Sequence, residues 1–481
     1  MTFFDEDVPF REYMRGFDLV TSLIDVWAYS CHIIDGQPLA SEYAVGLDQS
    51  KRGPLRESVH PWELDILARE IVLNSGQRPT YSLRWWNDLA AAVNFVRRLD
   101  EVAFLQSKSP ETDVLLELHR IAHRQFPWQI GGGANPMVRA YKVFGQKTID
   151  AIIDREMGMT ARQFLQLGMA LSGHFIKKWG LSIKQDYRVL GITTESSNAF
   201  FRRITSTLED LRTETAKRQS YNHDWLYAWN PLEATPLIAF DPAFPDRVLC
   251  PIPRYLLRRT SAGIFFDLVK AADFDNPFGN SFQNYIGEVI RAFCMTPSFN
   301  VLGEEPYYVG KKKMHGVDWV VSDKTAHLFI ESKTKRLTVG AKTMADAVAL
   351  DKDLSVMAEA IVQHYKNIQR ALDGRTGWRP DGLPIYPMIL TLEDWFFLSP
   401  RVDEMLERHL RQKLAEAEIP DSVFNDVPYT IASSHEFELA IQVVAQLDIY
   451  RVMSKKTANN QRTWPLSSFV MNEFEEQTRR A

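Results

Sequence analysis

The fold turns on VDWVVSDKTAHLFIESKTK, residues 317–335. Two runs rich in β-branched and aromatic residues, VDWVVS and HLFIESK, flank a short polar segment near 322–326, and they read as two strands of a hairpin. Successive side chains of a strand alternate between faces, so Glu331 and Lys333 share one face while Ile330 and Ser332 take the other. Asp318 stands in an apolar run, where a carboxylate is costly unless something compensates it, and a divalent cation is a natural compensation. Register decides whether it joins the other two. If opposing residue numbers sum to an odd value (322 opposite 325 or 327), Asp318, Glu331 and Lys333 share a face; an even sum sends Asp318 to the other side.

Around this hairpin the pattern from 279 to 393 reads helix, three strands, helix, strand. SFQNYIGEVIRAFC has the spacing of an amphipathic helix, and FNVLGEEPYYVG, HGVDWVVSD and AHLFIESKTKRL read as three strands. DLSVMAEAIVQHYKNIQRALDG predicts a long helix stopped at Gly374, and YPMILTLE a short apolar strand. After residue 400, VDEMLERHLRQKLAEAE is helical again, and the chain is expected to end in a polar tail.

An acidic residue on one strand, Glu-x-Lys on the next and a glutamate on the preceding helix together resemble the PD-(D/E)XK nuclease superfamily. The matching residues are Asp318, Glu331-Ser332-Lys333 and Glu288 in NYIGEVI, and the resemblance covers residues 279–393. It implies a restriction-endonuclease-like αβββαβ core and hydrolysis of phosphodiester bonds. It further implies Mg²⁺, with Mn²⁺ substituting, held by Asp318, Glu331, the Ser332 carbonyl and Glu288, with Lys333 orienting or deprotonating the attacking water. The residue before Asp318 is Val317, where proline is common in the family. Gln363, Tyr365 and Gln369 in the following helix depart from the spacing of helicase-linked relatives, so nothing is carried over to that helix.

Charge adds a second signal. Between Tyr307 and Lys342 stand Lys311, Lys312, Lys313, Lys324, Lys333, Lys335, Arg336 and Lys342, against Asp318, Asp323 and Glu331. A local positive excess in a chain of net charge −5 is the footprint expected where phosphates bind. Lys311, Lys312, Lys313, Lys335, Arg336 and Lys342 are therefore the candidate nucleic-acid contacts. The expected partner is DNA, with RNA as the alternative substrate, in restriction, mobile-element defence or repair. A rival is a catalytically silent nuclease fold that binds or scaffolds.

Residues 1–230 read as mostly helical and suit recognition or homo-oligomerisation. WELDILAREIVLNSG and TARQFLQLGMALSGHFIKKWG carry apolar residues at helical spacing. TTESSNAFFRRITSTLEDL, from Thr193, is a helix hairpin or, if it docks on DNA, a helix-turn-helix fragment. Residues 231–278 are punctuated by prolines and read as a connecting platform, with PLIAF and RVLCPIP as edge strands and a helix near 263–272. The overall expectation is α/β (α+β overall): helical region 1–230, platform 231–278, nuclease core 279–400 and C-terminal extension 401–481.

Composition excludes several classes. The 45% hydrophobic, 24% charged content is that of a globular chain, with no apolar run of membrane-spanning length. Three cysteines (Cys31, Cys250, Cys294), none in a C-x-x-C pair, argue against a disulfide framework or a cysteine-rich zinc site and suit a reducing cytoplasm. The acidic start, interrupted by Pro9, is unlike a signal peptide. His119 and His123 stand four apart but without a third ligand, and read as surface or capping residues. The glycines at 131–133 lack the Lys-Ser/Thr of a phosphate loop.

Overall fold

A computed structural model describes residues 3–48, 50, 55–76, 79–106, 114–129, 135–343, 346–397, 399–458 and 461–480. The chain is 59% helical with 11% strand, which makes it a mixed α/β protein. It divides into two compact units, residues 1–112 with 124–275, and residues 113–123 with 276–481. The second unit therefore takes in both the expected core and the C-terminal extension, together with one short segment from early in the chain. Residues 231–275 belong to the first.

The first unit is chiefly helical. Helix α1 (Phe3–Arg15) runs through Pro9, which was expected to interrupt it. α2 (Pro61–Asn74) buries Leu64, Leu67, Ala68 and Ile71 at helical spacing. α3 (Ala161–Phe175) starts at a capping box in which Thr160 and Gln163 satisfy each other's backbone N–H groups. The segment from Thr193 forms α4 (Thr194–Ile204) and α5 (Leu208–Arg218), a helix hairpin whose connection is a strand. The unit's small sheet comprises β1 (Gly180–Ser182), β2 (Thr205–Thr207), β3 (Leu237–Ala239) and β4 (Arg247–Leu249), in the order β1-β4-β3-β2. The expected edge strands PLIAF and RVLCPIP thus supply the two inner strands. Their prolines, Pro236, Pro251 and Pro253, fall outside the three-residue ladders, so no strand loses a donor. The glycines at 131–133 lie outside the described residues.

The second unit is built on a five-stranded sheet. Helix α6 (Asp275–Cys294) buries Phe278, Phe282, Tyr285, Ile286, Val289 and Ile290 along one stripe. The expected strand FNVLGEEPYYVG is in fact two, β5 (Asn300–Gly303) and β6 (Tyr307–Val309), separated at Pro306, which has no N–H to give to a ladder. Among the described residues β6 pairs with β7 (Lys312–Met314) alone, as a separate hairpin. β8 (Trp319–Ser322) and β9 (His327–Lys333) follow, then α7 (Ala347–Leu372), β10 (Ile385–Thr391), α8 (Pro400–Glu416) and β11 (Thr430–Ser433). Sheet order is β11-β10-β9-β8-β5, with β5, β8 and β9 antiparallel and β9, β10 and β11 parallel. The parallel pairs need crossovers, which α7 and α8 provide. β11 pairs from Met388 onward, so Pro387 lies beyond that ladder.

The expected polar tail is a correction: residues 430–456 complete the domain. Besides β11, helix α9 (Ser434–Gln446) buries Phe437, Ala440, Ile441 and Val444, a three-and-four spacing inside a run that also carries polar residues.

Helices cover both faces of this sheet. Val320, Phe329 and Ile389 pack with Leu354, Met357, Ile361 and Ile368 of α7 and, beyond them, Leu406 and Leu410 of α8. On the opposite face Trp319 lies against α6, its indole N–H donating to the Gln283 carbonyl at 3.0 Å. A Cβ at Gly287 would come within 2.1 Å of Trp319 Cζ2. Only glycine admits this approach, so Gly287→Ala should lower stability by about 1–3 kcal/mol through overpacking. A denaturant-unfolding midpoint equal to the wild type's would show that α6 is not clamped there.

Candidate functional site

The hairpin turn sets the site. Asp323 Oδ1 accepts the backbone N–H groups of Thr325 (2.7 Å) and Ala326 (3.0 Å), and Asp323 N–H donates to the Ala326 carbonyl at 3.1 Å. This closes the turn with Ser322 opposite His327 and Trp319 opposite Ile330, an odd register. Continued by one residue, it puts Asp318 opposite Glu331, and both with Lys333 on the face that α7 covers.

Around these three the contacts are dense. Lys333 Nζ lies 2.7 Å from Glu331 Oε1, and Asp318 Oδ2 accepts the Ser332 backbone N–H at 2.6 Å. Glu331 is buried, Asp318 and Lys333 partly so. Burial, and then the neighbouring Glu331 charge, push the Asp318 carboxyl up to about 8, with the Ser332 N–H and Lys333 offsetting only part. Burial also works to raise Glu331, but His364 and Lys333 more than offset it and hold it below its usual value. Lys333 is held above its usual value because Glu331 and Asp318 outweigh its desolvation. With both carboxylates ionised the site would carry more buried negative charge than its own lysine neutralises, and the proton that Asp318 keeps removes the excess.

His364 is the residue that sequence reasoning missed. It lies in α7, 1% exposed, with Nε2 3.0 Å from the Phe329 carbonyl oxygen and Nδ1 3.7 Å from Glu331 Oε2. One signal was present: Met357, Ile361, His364, Ile368 and Ala371 form a single heptad-like stripe, apolar but for the histidine. Gln363 and Gln369 instead bond along their own helix, to Asn367 and Asp373, and Tyr365 donates to the Val427 carbonyl.

The other expected residues are placed variously. Glu288 is exposed on α6, next to Gly287, which abuts Trp319 on the sheet face away from Asp318. Among the described residues no group of three or more His, Cys, Asp or Glu side chains stands ready to hold a metal ion. Lys335 pairs with Asp353 at 3.1 Å, and Arg336 and Lys342 both pair with Glu393 at 3.0 Å. Lys311 and Lys313 are exposed at the β6–β7 hairpin; the Lys312 side chain is outside the described set. His119 and His123 are buried, not on the surface: each places Nε2 by a backbone carbonyl, Ala341 at 3.0 Å and Trp395 at 3.2 Å, and burial lowers both. The three cysteines are free and buried. No helix among the described residues is long and apolar enough to cross a membrane. No known family model, curated protein or solved structure matches the chain.

The Asp318 carboxyl gives the site a pH signature. Its folded pKa of about 8 stands above the roughly 3.9 of an unfolded aspartate. Between those values the folded state binds the extra proton, so this group makes stability fall as pH rises from about 4 to about 8. Asp318→Asn should remove that share of the slope and be more stable than wild type at pH 8 while matching it at pH 4. Parallel stability–pH curves for the two proteins would contradict the assignment.

Proposed function

We propose that the chain is a metal-dependent nuclease that hydrolyses phosphodiester bonds, with DNA as its substrate. The observation that carries this reading is the odd register, which sets Asp318 opposite Glu331 with Lys333 on the same face. The αβββαβ order of the second unit supports a restriction-endonuclease-like core, with the β6–β7 hairpin inserted between its first two strands.

The donor set fits a divalent cation. Asp318 and Glu331 are hard oxygen donors held side by side and desolvated, a pairing that keeps a proton on Asp318 which a divalent cation would displace, and Glu331 Oε2 is buried without a hydrogen-bond partner. Asp318, Glu331 and the Ser332 carbonyl would hold the ion; Glu288, on the helix that packs on the other face of the sheet, would take no part. Such an ion supplies charge neutralisation at the scissile phosphate and acidifies water. Lys333, kept cationic by both carboxylates, donates to the phosphate oxygen where negative charge grows and orients the attacking water. Glu331 in turn fixes the lysine through the 2.7 Å contact.

Phosphate contacts away from the reacting centre fall to the exposed Lys311 and Lys313, since Lys335, Arg336 and Lys342 are paired to carboxylates. The N-terminal unit would select the substrate or assemble copies of the chain, and restriction or defence is the expected setting.

Purified protein should cut plasmid DNA with Mg²⁺ and not with chelator. Asp318→Ala, Glu331→Ala and Lys333→Ala should each abolish cutting by a folded protein, because the groups act as one unit. Wild-type rates in any of the three would refute the mechanism, and RNA cut in place of DNA would redirect the substrate. Binding should weaken steeply with salt, at about 0.9 in log–log slope per phosphate contact on duplex DNA. Lys311→Ala with Lys313→Ala should flatten that slope by roughly one to two. Lys335→Ala with Arg336→Ala should leave the slope and cost stability instead. The opposite pattern in a salt titration would return the phosphate grip to 335 and 336.

A further inference from the structure

The imidazole of His364 has a chemistry the proposed mechanism does not use. Its Nε2 lies 3.0 Å from the Phe329 carbonyl oxygen, which can only accept, so Nε2 carries the ring proton. The other ring nitrogen, Nδ1, is aimed at Glu331 Oε2 from 3.7 Å. Neither Nδ1 nor Oε2 has a hydrogen-bond partner, and both are buried. The gap between them is too long for a hydrogen bond, so neither atom is satisfied across it. Glu331 is also two-sided: Oε1 is taken by Lys333, leaving Oε2 open toward the histidine.

A cation between the two atoms satisfies both. Metal–ligand bonds of about 2.0–2.2 Å on each side would span 3.7 Å at an angle of about 120°. The hydrogen bond at Nε2 is also the usual second support of a ligating imidazole: it fixes the tautomer and aims the other nitrogen. We propose that His364 Nδ1 is a ligand of the ion held by Glu331, so that the site prefers a nitrogen-tolerant transition ion such as Mn²⁺ over Mg²⁺. This rests on the metal-nuclease reading above and narrows it: an imidazole donor shifts affinity toward transition ions, where an all-oxygen site would not.

The test uses the full chain, freed of metal and titrated with Mn²⁺ and with Mg²⁺ by calorimetry. Pulsed electron paramagnetic resonance of the Mn²⁺-loaded protein should show nitrogen modulation, which changes when the protein is grown on isotopically labelled histidine. His364→Ala should lose the modulation and weaken Mn²⁺ by about tenfold or more, while Mg²⁺ weakens by less than about threefold. If the variant fails to fold, the labelled wild-type spectrum alone decides. Mn²⁺ bound without nitrogen modulation overturns the ligand and leaves the nuclease site standing, with His364 an imidazolium paired to Glu331. A wild-type protein that binds neither ion overturns the nuclease reading itself.

Discussion

The turn at Asp323 governs the rest of the second unit. Its carboxylate accepts the N–H groups of Thr325 and Ala326 on one oxygen and of Ile449 on the other, so it both closes the hairpin and caps a later helix. A slip of one residue there would reverse every side chain of β8. Trp319 would leave its slot against Gly287, and Asp318 would enter the apolar layer under α6. The packing of the core and the assembly of the site are thus specified by one register, and neither can change alone.

That register brings two carboxylates together under a helix that keeps water away, which by itself opposes folding. Lys333 answers part of the charge and His364 faces the remainder. The apolar contacts of Val320 and Phe329 with α7 hold the arrangement in place despite this. A locally unfavourable group, kept by a well-packed surround, is where function tends to reside.

Much of this was legible in the residues. Alternation put Glu331 and Lys333 on one face, and α6, β8, β9, α7 and β10 followed from periodicity and glycine stops such as Gly374, which adopts a positive φ after α7. The register was not legible, because it depends on how the Asp323 side chain folds back on its own backbone. β11 and α9 were also missed: a four-residue parallel strand buried between helices has too short a signal, and Ser433, Ser434, His435 and Glu436 disguise the start of an apolar helix that they cap. His364 was hidden for the opposite reason. Its neighbours in the stripe are apolar, so the helix reads correctly whether or not that position is polar.

The basic cluster shows the limit of counting charges along a sequence. Eight cations in a short stretch suggest a phosphate-binding surface, yet the carboxylates that answer three of them come from Asp353 and Glu393, on elements that follow the cluster in the chain. Asp353, in α7, is almost wholly buried and also accepts the Thr338 N–H at 2.7 Å, so the segment from Lys335 to Thr338 is tied to that helix. Arg336, its side chain 8% exposed, and Lys342 grip Glu393 just beyond β10. Lys333 therefore leaves β9 into a segment anchored on both sides. A lysine whose backbone is held this firmly has few positions for its ammonium group, and its contact with Glu331 is fixed by the fold. The cations beside the site act by holding it still, whereas Lys311 and Lys313 stand exposed on the separate hairpin of β6 and β7.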